Sequence, residues 1–235
     1  MSSVHEQSAD RDPDTIVRPG WLELGVAIVV AVVLYLAAGL ITVLLPEDFP
    51  VSLGHINFLI SGLVPLLAFL AAVAVRLRAF APFGFRRVDL RWLLLGAGVG
   101  FACFLLSWPV SAVFDPFFPG SEGVQQGYRD AASAGALSLI VAVALGGLLT
   151  PFGEEVLFRG VLANFLFRWG PWVGVLVSAA IFAVAHGINS VMPLAFVIGL
   201  ATGLLLRFSD SIWPGILVHV VYNSAGIIYH GVAGS

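Results

Sequence analysis

Lysine is absent from this chain, and cysteine occurs once, at Cys103. The eleven basic residues are therefore all arginine, scattered through short loops, and the net charge is −3. No basic surface is available for nucleic acid, so a nucleic-acid partner is not expected. One cysteine allows neither an internal disulfide nor a cysteine-built metal cluster. Cys103 lies in the apolar stretch 101–106 and is expected to be a small packing residue. Charge of either sign is scarce, at 11% of 235 residues where an ordinary soluble domain carries roughly 25%. With 59% hydrophobic residues and a mean hydropathy of +1.00, most of the chain has lipid as its solvent. The alternating strand patterns of a membrane barrel are missing too. Backbone groups in lipid must pair internally, and that leaves helices.

A run of about 20 apolar residues crosses a hydrocarbon core of roughly 30 Å. The expected fold is an all-α, polytopic membrane helix bundle of seven or eight transmembrane helices. Spans are predicted at 21–45, 56–75, 92–114, 137–149, 172–185, 191–206 and 212–228, with a further helical segment at 154–167. Hydropathy leaves open whether that segment crosses or continues the helix before it, since 137–167 is long for one span and short for two. Residues 1–20 are polar and acidic, with Pro13 and Pro19, unlike the basic start of a signal peptide. They are expected to form a disordered cytoplasmic tail, followed by N-terminal transmembrane helices over 21–135. Arg76, Arg78, Arg86, Arg87 and Arg91 place five of the eleven arginines in one loop, which the positive-inside rule assigns to the cytoplasm together with the N-terminus. If 154–167 does not cross, Arg168 and Arg207 fall on the same side.

After residue 137 the charged residues are Glu154, Glu155, Arg159, Arg168, Arg207 and Asp210. An acid near the bilayer centre costs roughly 2.5–3.5 kcal/mol on insertion scales, so such residues face a cavity or a partner. Pro151 is expected to open a helical turn and to put both glutamates near its N-terminus, where the dipole favours anions. Glu155 and Arg159 are four apart and predict an ion pair on one face, with Glu154 pointing about 100° away. Glu154 is then free to act as a general base. The plainer alternative is a structural salt bridge beside a helix-capping acid.

His186 closes the apolar segment Phe182-Ala183-Val184-Ala185-His186. His219 and Asn223, four apart in the last span, offer an imidazole and a carboxamide side by side, two donors suited to a developing oxyanion. Tyr222 lies off that face and is expected to pack. A carboxylate, a histidine and a His/Asn donor pair on three helices are the parts a hydrolytic site requires. Glu154, His186 and His219 could instead hold zinc with one open position, although the His-Glu-x-x-His helix of zinc proteases is absent. Ser178 and Ser190 lack a nucleophile turn, and Asp210 is a single aspartate in a loop, so serine and aspartyl chemistry fit worse.

Glu154-Glu155-x-x-x-Arg159, Phe182-x-x-x-His186 and His219-x-x-x-Asn223, in this order, resemble the signature of the CPBP family of CAAX prenyl endoproteases and bacteriocin-processing or self-immunity proteins. The resemblance covers about 137–229 and implies a CPBP-like catalytic core over 136–230, with its site in a cavity open to the cytoplasmic leaflet. It implies that Glu154 and His186 activate water, that His219 and Asn223 stabilise the oxyanion, and that Glu155 and Arg159 support them. The family has been described both as metalloproteases and as metal-independent glutamate proteases, and the neutral partner of His219 favours the second, with no cofactor. The expected function is an intramembrane endopeptidase acting on a peptide or membrane-protein substrate in a lipid bilayer, a bacterial cell membrane by composition. The alternative is a non-catalytic immunity or regulatory protein that binds a membrane partner. A transporter or proton relay would spread ionisable residues along several helices.

Overall fold

The computed structural model describes residues 17–46, 48–121 and 123–233, and these are helical almost throughout. The chain runs through α1 (Trp21–Val43), α2 (Leu53–Val75), α3 (Leu90–Phe114) and the short α4 (Gln126–Ser133). One long helix follows, α5 (Ala136–Trp169), and then α6 (Pro171–Ala185), α7 (Met192–Ser209) and α8 (Trp213–Ala233). Six of these are long and apolar enough to cross a membrane; α6, at 15 residues, is shorter, and α4 is a polar surface helix. The expected tail lies outside the described residues as far as residue 16.

The segment 154–167 does not stand as a separate helix. It continues 137–149 without a break in α5, whose 34 residues exceed the roughly 20 needed to cross. The region between the predicted spans 92–114 and 137–149 contains α4. Its small face is buried at Ala131 and Ala132, and its Tyr128 ring sits 4.5 Å from that of Phe58. An eight-residue amphipathic turn is too short to stand out in a hydropathy pattern. At α2 the helix starts three residues before the predicted 56, because the Ser52 hydroxyl caps it by accepting from the His55 backbone N–H.

Three features fix the packing around the second half of the chain. Gly96 and Gly100, one helical turn apart on α3, meet the backbone of Pro214 and Val218 on α8 so closely that neither has space for a Cβ. In lipid, where helices gain nothing from burying apolar surface against each other, such small-residue seams let backbones approach. Gly153 on α5 meets the backbone of Gly62 on α2 in the same way. The third feature is the arginine-rich end of the bundle. There Arg76 at the end of α2 grips the buried Glu23 of α1 with two bonds of 2.7 and 2.9 Å. Arg18 donates to Asn164 Oδ1 at 2.6 Å and Arg168 to the Pro19 carbonyl at 2.7 Å. Asp210 lies 4.0 Å from Arg18, and Ser211 donates to the Arg86 carbonyl. Arg168 and the turn after Arg207 thus stand at the same end as the arginine loop, and α6 and α7 form a hairpin rising from it. At the far tip of that hairpin the Asn189 side chain donates to the His186 carbonyl and accepts from the Val191 N–H.

Gly100→Val forces a side chain into the α3–α8 backbone contact and is expected to cost about 1–3 kcal/mol. Gly98→Val, at a position with open space around it, is expected to leave stability nearly unchanged. Thermal unfolding of the two variants in detergent checks the difference.

Candidate active site

Glu154 and Glu155 occupy the middle of α5 rather than a helix start. Pro151 lies inside the helix, between a wide-turned stretch at Val143–Leu149 and another at Val156–Ala163, where hydrogen bonds run from i to i+5. A proline in a helix has no N–H to give and leaves carbonyls one turn back without a partner. Here the last helix supplies the missing donors. Asn223 Nδ2 donates to the Gly146 carbonyl at 3.0 Å, and the Ser224 hydroxyl to the Gly147 carbonyl at 3.3 Å. Thr150 donates from its hydroxyl to the Phe58 carbonyl of α2. The expected dipole effect on the glutamates is therefore absent, and Pro151 instead draws α8 against α5.

Glu155 is fully buried. Its Oε1 lies 3.2 Å from Arg159 NH1, the pair predicted from the four-residue spacing, and also 3.1 Å from His219 Nδ1. The second contact joins residues 64 apart and had no local signal. Arg159 is as deeply buried, with its guanidinium 4.4 Å over the ring of Phe182. The small residues Gly199 and Gly215 make room for the pair: a Cβ would stand 3.2 Å from Arg159 NH2 in one case and 3.3 Å from Glu155 Oε2 in the other.

Glu154 points to a different place, as helix geometry requires. Its Oε2 lies 3.8 Å from His186 Nε2 and 3.8 Å from His219 Nε2, and it has no hydrogen bond within the protein. His186 Nδ1 is bonded to the Phe182 carbonyl at 2.8 Å, and His219 Nδ1 is held by Glu155. Each imidazole thus has its Nδ1 committed to an acceptor and turns Nε2 toward the same carboxylate oxygen. Phe182 stacks against both, with centroids 4.6 Å from His186 and 5.7 Å from His219. This one ring touches three of the polar residues. Its spacing of four from His186 was visible in the sequence, but nothing there tied it to Arg159 or His219.

The structure brings Glu154, Glu155, Arg159, His186 and His219 into one cluster and puts Asn223 beside it, bonded to the α5 carbonyl that Pro151 frees. Tyr222 packs in the apolar cluster around Cys103, and Ser178 donates within its own helix. Glu154, His186 and His219 are the residue types that zinc takes. The two 3.8 Å separations are wider than the roughly 3.3 Å between ligands in a tetrahedral zinc site with bonds of about 2.0–2.1 Å. Among the described residues no group of three His, Cys, Asp or Glu side chains is arranged to hold a metal ion.

A bundle of membrane helices enclosing a carboxylate between two imidazoles makes this a polytopic helical membrane protein with a buried polar cluster. Comparison with known proteins refines this class. Residues 136–225 match the model of a family described as Rce1-like, type II CAAX prenyl endopeptidase Rce1-like. The chain is also similar to an Escherichia coli protein named only as an uncharacterized 24.3 kDa protein, with 32% identity over 89 residues. That stretch covers 35% of this chain and 41% of the relative. No solved structure matches.

Removing one partner of a buried ion pair leaves the other charge uncompensated, at a cost of about 3–5 kcal/mol. Glu155→Ala is expected to lose folded protein on that scale, whereas Glu154→Gln, which removes no close ion pair, is expected to keep it. Size-exclusion profiles and thermal unfolding in detergent check this contrast.

Proposed function

We propose that this protein is an intramembrane endopeptidase that hydrolyses a peptide bond of a membrane-associated protein or peptide. Glu154 and His186 activate water, and His219 with Asn223 receives the oxyanion. The observation that carries the proposal is Glu154 Oε2, a buried carboxylate oxygen free of hydrogen bonds and flanked by two Nε2 atoms at 3.8 Å each. A water seated in the gap between Glu154 and His186 can donate to both, and the carboxylate takes its proton as the oxygen attacks the scissile carbonyl. The same proton then passes to the leaving nitrogen.

His219 serves the oxyanion through its Nε2 edge, which faces Glu154. The contact of Nδ1 with Glu155 fixes the ring, so that an Nε2–H is aimed where it can donate to the tetrahedral intermediate. Asn223 retains a second amide hydrogen beside the one given to Gly146, so it can assist without breaking that bond.

The family match supports peptidase chemistry. Its description names CAAX prenyl endopeptidases, and the substrate class proposed here is the broader one of a peptide or membrane-protein segment. We place the arginine-rich end, and the N-terminus with it, on the cytoplasmic side of a bacterial cell membrane, as the positive-inside rule favours. A reporter fused after Arg168 is expected to be cytoplasmic, and an external reporter would reverse this orientation.

Purified protein in detergent, given a peptide library, tests the chemistry. Glu154→Gln and His186→Ala are each expected to lower kcat by about 10²-fold or more; turnover equal to wild type would remove the enzyme reading. Glutamate chemistry predicts activity that survives chelator in protein free of bound metal. Loss of activity on chelation, restored by zinc, would transfer Glu154, His186 and His219 to the role of ligands.

A further inference from the structure

The described acids at the arginine-rich end are each matched by an arginine: Glu23 by Arg76 at 2.7 Å, Asp89 by Arg91 at 3.2 Å and Asp210 by Arg18 at 4.0 Å. Positive charge is left in surplus there. Arg87 and Arg207 are exposed, and among the described residues neither guanidinium has an ion pair or a hydrogen bond. An exposed arginine without a protein partner is ordinarily solvated. These two differ in that each borders a cavity beside a tryptophan.

One cavity, of about 260 Å³, lies between the start of α3 and the end of α7 and is lined by Arg87, Val88, Asp89, Trp92 and Ser209. Its other polar groups are already committed. Asp89 is held by Arg91, and the Ser209 hydroxyl is turned to the Leu205 and Ser211 carbonyls at 2.6 and 3.1 Å, so the free charge in this cavity is that of Arg87. The second cavity, of about 90 Å³, lies between the start of α6 and the end of α7 and is lined by Pro171, Trp172, Arg207 and Phe208. The two flank the last turn of α7, and each combines an unmatched arginine with an indole. Among the described residues neither Trp92 nor Trp172 has an acceptor for its indole N–H. The tryptophans also mark depth. Of the chain's six, Trp21, Trp92, Trp169, Trp172 and Trp213 all stand at helix ends on this side of the bundle, and indoles collect at the level of lipid headgroups.

We propose that these two cavities bind the headgroups of anionic phospholipids, with Arg87 and Arg207 each taking a lipid phosphate and Trp92 and Trp172 donating beside it. A guanidinium offers a phosphate two parallel N–H groups, and basic pockets between membrane helices are suited to anionic headgroups. A free phosphate ion would meet the same arginines but would leave Trp172 and Phe208, 62% and 63% exposed, without cover. A phospholipid supplies both the anion and the hydrocarbon that those rings face. The second lipid sits at the base of the α6–α7 hairpin and braces the element whose tip carries His186. The inference does not depend on the chemistry at Glu154.

Thermal unfolding of the full chain in neutral-detergent micelles doped with phosphatidylglycerol or with phosphatidylcholine tests the assignment. Phosphatidylglycerol is expected to raise the transition by about 3 °C or more over phosphatidylcholine, and the rise is expected to fall away in about 0.5 M salt. Arg87→Gln and Arg207→Gln are each expected to lose roughly half of it and the double variant nearly all, while their transitions in phosphatidylcholine stay at the wild-type value. Arg78→Gln removes an exposed arginine of the same loop that borders neither cavity, and is expected to keep the full rise. Native mass spectrometry is expected to find phosphatidylglycerol retained on the wild type and lost from the double variant. An equal rise in both lipids, or a full rise in the double variant, would overturn the proposal. So would an equal loss in Arg78→Gln, which reduces the effect to net charge, or the same rise with inorganic phosphate alone, which makes the ligand a free anion. A lower transition in phosphatidylcholine on removal of residues 1–16, with no response to phosphatidylglycerol in the full chain, would give the cavities to the chain's own acidic tail instead.

Discussion

Glu155 places a carboxyl group in the interior of an apolar bundle, where a charge persists only if it is paired. It has two partners at once. Arg159 follows from its own helix, one turn on, while His219 arrives from the last helix of the chain. The two contacts meet at one oxygen, so the ion pair that neutralises α5 also sets the rotation of α8 and the direction in which His219 presents Nε2. Phe182 closes the arrangement by lying against the guanidinium and both imidazoles. Glu154 owes its position to this frame, since the residue next to Glu155 must point away from the pair and toward the histidines.

Pro151 works in the same direction by a different means. A helix interrupted in water can bond its stray carbonyls to solvent, but one in lipid needs side chains from its neighbours. Asn223 and Ser224 meet that need, and the wide turns on either side absorb the change in winding. The α5–α8 contact is thus made at two levels, carbonyl to amide near Gly146 and carboxylate to imidazole near Glu155. Sliding one helix along the other would break both.

Much of this was legible from local pattern. Apolar runs near the length of a bilayer marked the spanning helices, and a spacing of four assigned Glu155 to Arg159 while separating Glu154 from them. What stayed hidden depends on partners far along the chain. Glu23 reads as an ordinary acid at the start of a helix, yet it is buried because Arg76, 53 residues later, reaches it. The Glu155–His219 contact and the bonds from Asn223 and Ser224 to α5 have the same character. Pro151 misled for a related reason: the rule that reads proline as a helix start assumes that no neighbour will satisfy the carbonyls it frees.

The 15 residues of α6 rise about 22 Å at 1.5 Å each, well short of a hydrocarbon core of roughly 30 Å. A helix of this length that starts at one surface ends short of the other, and Ile188 at the hairpin tip is 80% exposed. Such hydrophobic mismatch is relieved by local thinning of the bilayer, which draws the headgroup region, and the water it carries, down toward the tip. The hydration of this corner of the protein is then set by the length of one helix and by the thickness of the membrane around it. Activity in bilayers of different acyl length becomes a property of the lipid as much as of the site.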